Sequence, residues 1–173
     1  IVENDKTARK SIKEVNPEKK QSELVLFTLN KRTEVKEHLD FIKPLLEGKN
    51  MGLMSEAGCP GVADPGAVIV KLAHEKGIQV VPLVGPSSIL LAMMASGMNG
   101  QSFAFNGYLP IDKDEKKAML KSLEKLSADK NQSQLFIETP YRNNKMLEDL
   151  LQIVQPSTHI CVAADITLPT EYI

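Results

Sequence analysis

Short apolar runs alternate with segments of helical spacing along almost the whole chain, and this alternation constrains the fold more than any other feature. Residues 5–15 read as a short charged helix and residues 24–29 as an apolar strand. Thr33 stands where it would cap a helix carrying Val35, Leu39, Ile42, Leu45 and Leu46 at helical spacing, with Gly48 as its stop. A strand over residues 51–55 leads into a loop over residues 56–64. Pro65 then opens a helix through residue 76, since a first turn tolerates proline, and Gly77 ends it. Residues 78–84 are almost wholly apolar, as in a strand covered on both faces, and are expected to be central in the sheet. Residues 89–98 are apolar nearly all round, which predicts a buried helix. Asn99-Gly100 breaks the pattern. Strands at 103–109, 134–138 and 159–163 then alternate with helices at 112–126 and 142–154. This order predicts an α/β fold with mainly parallel sheet, and the break near residue 99 divides it into domains at 1–99 and 100–173.

Composition narrows the function classes without choosing among them. Lysine and arginine total 21 against 22 acidic residues, a formal net charge of −1, so the chain has no global attraction to phosphate. Cys59 and Cys161 are the two cysteines, too few for a disulfide framework or a four-cysteine zinc site, and a reducing, cytoplasmic location is expected. No apolar run approaches a membrane span, so no membrane association is expected. His38, His74 and His159 lie in separate elements without metal-ligand spacing, and no metal is expected. Lys113, Lys116, Lys117, Lys121 and Lys125, interspersed with acids, read as the solvated face of one helix. The opening Ile-Val-Glu-Asn and the closing Glu-Tyr-Ile read as cut ends, so the first and final strands of the fold are expected outside this chain.

In parallel α/β sheets ligands bind beyond the carboxyl ends of strands, which directs attention to the loops leaving strands at Ser55, Val84, Leu109 and Glu138. Residues 55–66, Ser-Glu-Ala-Gly-Cys-Pro-Gly-Val-Ala-Asp-Pro-Gly, hold three glycines and two prolines in twelve positions. Small side chains let a ligand lie against main-chain amides, and Asp64 is placed to cap the next helix. A stiff turn with a helix cap would use the same residues. Val84-Gly85-Pro86-Ser87-Ser88 opens another helix, where exposed N–H groups favour a carboxylate, although either serine serves equally as a simple cap. Glu138 and Arg142 stand four residues apart across a third junction, suited either to lining a pocket or to pairing locally.

Four motifs stand in order: Ser55-Glu56-Ala57-Gly58-Cys59-Pro60 with Ala63-Asp64-Pro65-Gly66, Val81 to Ser88, Gly107-Tyr108-Leu109-Pro110, and Phe136 to Arg142. Together they resemble the tetrapyrrole (corrin/porphyrin) methylase superfamily, and most closely its branch that methylates ribose 2′-oxygens of small-subunit ribosomal RNA. The resemblance implies two α/β domains that bind S-adenosyl-L-methionine, and usually a homodimer. It implies cofactor contacts from Ala57, Gly58, Cys59 and Val62 in the first loop and from Ser87 and Ser88 in the second. Ile137, Glu138, Ile166 and Thr167 are implied from the later segments, with Glu138 and Arg142 as candidates on the substrate side. The implied partner is ribosomal RNA or the small ribosomal subunit.

Two departures bear on the acceptor. Where the RNA-methylating branch shows Glu-Asp-Thr-Arg, this chain has Glu3, Asn4, Asp5 and Lys6. The branch's Ala-Arg-Glu-Leu-Thr-Lys run appears as Ala163, Ala164, Asp165, Ile166, Thr167 and Leu168, which removes two basic side chains. The expected function is an S-adenosylmethionine-dependent methyltransferase acting on RNA. Methylation of a tetrapyrrole, or cofactor binding without catalysis, are the alternatives.

Overall fold

Val2 pairs in parallel with both Thr28 and Met54, and this short three-segment arrangement organises the first part of the chain. It is seen in a computed structural model that describes residues 1–30 and 32–173. Backbone bonds reinforce the pairing, from Val2 N–H to Phe27 C=O at 2.9 Å, Leu29 N–H to Val2 C=O at 2.8 Å and Met54 N–H to Ile1 C=O at 2.9 Å. The sequence reading assigned no element to residues 1–4, because two or three residues are too few for a period to show. Strands expected at 24–29 and 51–55 shrink to single bridge positions inside extended chain.

Two compact units are present, Ile1–Pro86 and Ser87–Ile173. The sequence boundary at residue 99 lies inside the second. In the first unit, α1 (Asp5–Val15) begins where the Asn4 side chain accepts from the Lys6 and Thr7 N–H groups. The single helix expected after Thr33 is instead α2 (Val35–Phe41) and α3 (Lys43–Leu46), broken at Ile42. Pro44 explains the break, since it offers no N–H to the carbonyl one turn back and its ring crowds that turn. Thr33 does not cap α2. Its hydroxyl accepts from Asn30 N–H at 3.0 Å, while Glu37 reaches back to the Glu34 N–H at 2.9 Å. Next, α4 spans Ala67–Glu75. Ile1, Leu29, Phe41, Ile42 and Ile69 form the core, and Phe27 and Phe41 meet with ring centroids 5.3 Å apart.

Residues 78–84 correct the expectation of a central strand. They join no ladder, and Val81, Leu83 and Val84 are exposed. Apolarity shows that a segment gains from burial, but a strand also needs a neighbour for its N–H and C=O groups, and Pro82 removes one of those donors.

In the second unit, α5 (Ser88–Ala95) buries only Met93, leaving Leu90 and Met94 exposed, so the expected buried helix is not observed. The unit is built on β1 (Phe103–Tyr108) paired in parallel with β2 (Ser133–Ile137), joined by α6 (Lys113–Lys130). Asp112 caps α6 through the Asp114 and Glu115 N–H groups, and Asn131 ends it in the left-handed region at φ 48°. The ladder slips between Phe105 and Tyr108, where Asn106 Nδ2 fills in by donating to Gln134 Oε1 at 3.1 Å and Leu135 C=O at 3.2 Å. After β2 comes α7 (Asn143–Ile153), whose Met146 and Leu150 meet Leu109, Leu120 and Leu123 in the second core. Lys116, expected on a solvated face, is half-buried and ion-paired to buried Asp149 at 2.8 Å. The strand expected at 159–163 is absent; Ala164 instead forms an antiparallel bridge with Tyr172. Helices alternating with strand segments, and a parallel sheet, make this an α/β structure.

Candidate functional site

Asp64 sets the shape of the glycine- and proline-rich loop. Its Oδ1 accepts from Gly61 N–H at 2.8 Å and from Gly66 N–H at 2.7 Å, so one carboxylate ties the middle of the loop to its end. Gly66 precedes the first helical residue, so Asp64 braces the loop rather than capping α4 as expected. Gly58 and Gly61 lie at φ +75° and +81°, a region that side chains disfavour, and the chain can turn sharply on either side of Cys59 and Pro60. Val62 N–H closes a turn onto Cys59 C=O at 3.1 Å, and Ser55 Oγ donates to Gly58 C=O at 3.1 Å. Among the described residues, the N–H groups of Ala57, Gly58 and Cys59 donate to no protein acceptor. Ala57, Gly58 and Val62 are exposed and Cys59 is half-buried. The loop thus presents main-chain donors on a braced frame, a surface that suits the oxygens of a polar ligand.

The mouth of this loop is held from elsewhere. Glu56 N–H donates to Glu3 Oε1 at 3.0 Å, and Thr7 Oγ1 donates to Glu56 Oε1 at 2.5 Å. Neither contact was legible in the sequence, because the partners are 53 and 49 positions away and no local pattern links them. The thiol of Cys59 lies 3.8 Å from Pro86 C=O, which ties the first loop to the end of the first unit.

Ser87 caps α5, accepting from Leu90 N–H at 3.5 Å, which is the simple structural use of that position. Ser88, the first residue of α5, is exposed. Glu138 and Arg142 do pair: Arg142 Nε donates to Glu138 Oε1 at 2.8 Å, and the same oxygen accepts from Thr139 N–H at 2.7 Å. The carboxylate therefore has its charge balanced within its own turn, and the Arg142 guanidinium also lies 5.8 Å from the Tyr141 ring centre. Ile137, at the end of β2, is half-buried. Ile166 is half-buried between Asp165 and Thr167, which both have positive φ, 51° and 74°. For β-branched Thr167 this is strained backbone, held by its N–H to Glu171 Oε2 at 2.7 Å. The structure thus brings together the members of each local group, and within the first unit it joins the first loop to Pro86.

Comparison with known proteins places this geometry in a family context. "Ribosomal RNA small subunit methyltransferase I" of Buchnera aphidicola (from Schizaphis graminum) is 33% identical over 149 residues, covering 86% of this chain and 51% of that protein. Proteins of the same name from Thermotoga maritima and Bacillus subtilis are 36% and 41% identical over 129 and 113 residues, covering 75% and 65% of this chain and 56% and 37% of those proteins. The chain spans about half the length of the curated relatives it matches. The family described as Tetrapyrrole (Corrin/Porphyrin) Methylases matches residues 1–173, the whole stretch in which the four loop motifs stand in order, and the chain belongs to that family.

Proposed function

We propose that the protein of which this chain is a part is an S-adenosylmethionine-dependent methyltransferase that acts on small-subunit ribosomal RNA. The observation that carries the proposal is the loop over residues 55–66, with its open amides at Ala57, Gly58 and Cys59, in a chain whose relatives at 31–41% identity are named for that reaction. Bound there, the cofactor would supply an electrophilic methyl on a sulfonium sulfur. The chain's own part is positioning, which can by itself supply much of the rate when a nucleophile is aligned with the group it attacks.

On this reading Ala57, Gly58, Cys59 and Val62 hold the cofactor through backbone and close approach. Ser87 and Ser88, Ile137 and Glu138, and Ile166 and Thr167 contribute from the other segments. Arg142, turned inward onto Glu138, orients that carboxylate on the substrate side. Two domains and a homodimeric assembly belong to the same proposal, as does a cytoplasmic location.

The experiment is transfer of labelled methyl from S-adenosylmethionine by the full-length protein to small ribosomal subunits lacking ribose methylation, with a tetrapyrrole panel alongside. Label in the RNA is the expected result. Label in a tetrapyrrole would reassign the acceptor, and cofactor binding without transfer would identify a non-catalytic module, the outcome to which Ala164 and Leu168 at usually basic positions point.

A further inference from the structure

Two hydrogen bonds from distant sequence converge on Glu56, one on its main chain and one on its side chain. Both come from the start of the chain's first structured segment. Glu3 directly follows Val2, which pairs with Met54, and Thr7 lies in the first turn of α1, whose own cap is Asn4. The exit of one extended segment is therefore clasped by the exit of its neighbour, and Ala57, Gly58 and Cys59 come immediately after the clasp.

The clasp is exposed, so each bond adds little to global stability, because water competes for the same donors and acceptors. Its effect is local. Glu3 fixes where the Glu56 N–H points, and Thr7 occupies one oxygen of the Glu56 carboxylate and keeps that side chain turned toward α1. Asp64 and Ser55 brace the rest of the loop, but neither touches its first peptide. The Val2–Met54 pairing directs the chain as far as Met54, and Glu3 and Thr7 supply the contacts that reach Glu56 itself.

We propose that Glu3 and Thr7 are positioning residues of the cofactor loop, acting through Glu56 to hold the open amides of residues 57–59 in the arrangement that receives the ligand. The inference rests on the reading of that loop as the cofactor site.

The test uses the full-length protein, with S-adenosylmethionine affinity measured by calorimetry and folding by thermal unfolding. Glu3→Ala removes the acceptor of the Glu56 N–H, and Thr7→Val removes the hydroxyl that donates to Glu56 and also lies 3.2 Å from Asn4 C=O, whereas Glu3→Gln and Thr7→Ser keep an acceptor and a donor in place. The first pair is expected to bind about tenfold more weakly, the scale of one lost hydrogen bond, while melting within about 2 °C of the wild type. The second pair is expected to bind as the wild type does. Unchanged affinity in Glu3→Ala and Thr7→Val, with the wild type binding normally, would overturn the positioning role alone. A failure of Glu3→Gln and Thr7→Ser to restore binding would overturn it as well, and so would affinity losses that track melting temperature. A folded wild type that binds no S-adenosylmethionine would overturn the cofactor reading and this inference with it.

Discussion

A side chain at Gly66 would place its first carbon 2.6 Å from Asp64 Oδ1 and 2.7 Å from Leu53 Cδ2. The carboxylate is the brace of the loop and Leu53 packs against the first core, so neither neighbour can yield without loss. Gly66→Ala is expected to destabilise the first unit by about 1–3 kcal/mol, the usual cost of forcing atoms into packed space, measured as a shift in denaturant midpoint. A variant as stable as the wild type would show that the contact relaxes freely. The glycine itself was visible in the sequence, and its place near a helix start suggested turn chemistry. Its contact with Leu53 was not, because tight packing between a loop and the strand segment before it depends on where the chain returns. Glu138 and Arg142 were legible as a pair for the opposite reason: four residues apart at a strand-to-helix junction, they meet through local geometry alone.

At the scale of elements, α6 and α7 are joined by leucine and methionine packing and by one ion pair, Lys116 to Asp149, whose side chains are 12% and 6% exposed. Lys145 adds a second contact to Asp149 at 3.0 Å. Lys116→Met removes one of the two ammonium partners of buried Asp149, so it is expected to cost about 2 kcal/mol in chemical unfolding, the scale of a hydrogen bond to a charged group. Lys116→Met combined with Asp149→Leu should recover most of that loss, since an apolar pair of similar volume carries no desolvation penalty. Failure of the double variant to recover would mean that the pair does more than balance its own burial. The hydrogen bond from Lys116, then that from Lys145, hold the Asp149 carboxyl below its ordinary range, and the Thr158 hydroxyl and Gln155 N–H do the same for Glu124. Carboxyls depressed in the folded state contribute stability that is complete above the unfolded value, about 4, and disappears as pH falls through the folded one. Unfolding followed from pH 6 down to pH 2 should therefore show stability falling below about pH 4, less steeply in Asp149→Asn. Helix α6 was readable from its long charged stretch of helix formers, but the partner of Lys116 was not, since a lysine among lysines looks solvated until the packing of α7 is known.

At the scale of the whole molecule, the cofactor reading predicts a stability linkage. A ligand that binds only the folded protein raises stability by about 2.7 kcal/mol at a hundredfold excess over its dissociation constant, so saturating S-adenosylmethionine should raise the melting temperature of the full-length protein by several degrees. An unmoved melting curve at millimolar cofactor would count against the site. What the sequence determined by itself was local or repetitive. It specified helices α1, α4, α6 and α7, the strands β1 and β2 with their parallel pairing, and the four loop motifs that carry the family, because hydrophobic period and motif spelling are written in neighbouring residues. Tertiary structure decided the rest. It alone paired Val2 with two distant segments, left residues 78–84 without a ladder, drew Lys116 onto Asp149 and closed Glu3 and Thr7 onto Glu56. Each of those outcomes depends on which distant residue supplies a hydrogen bond or a charge, and no window of adjacent residues contains that information.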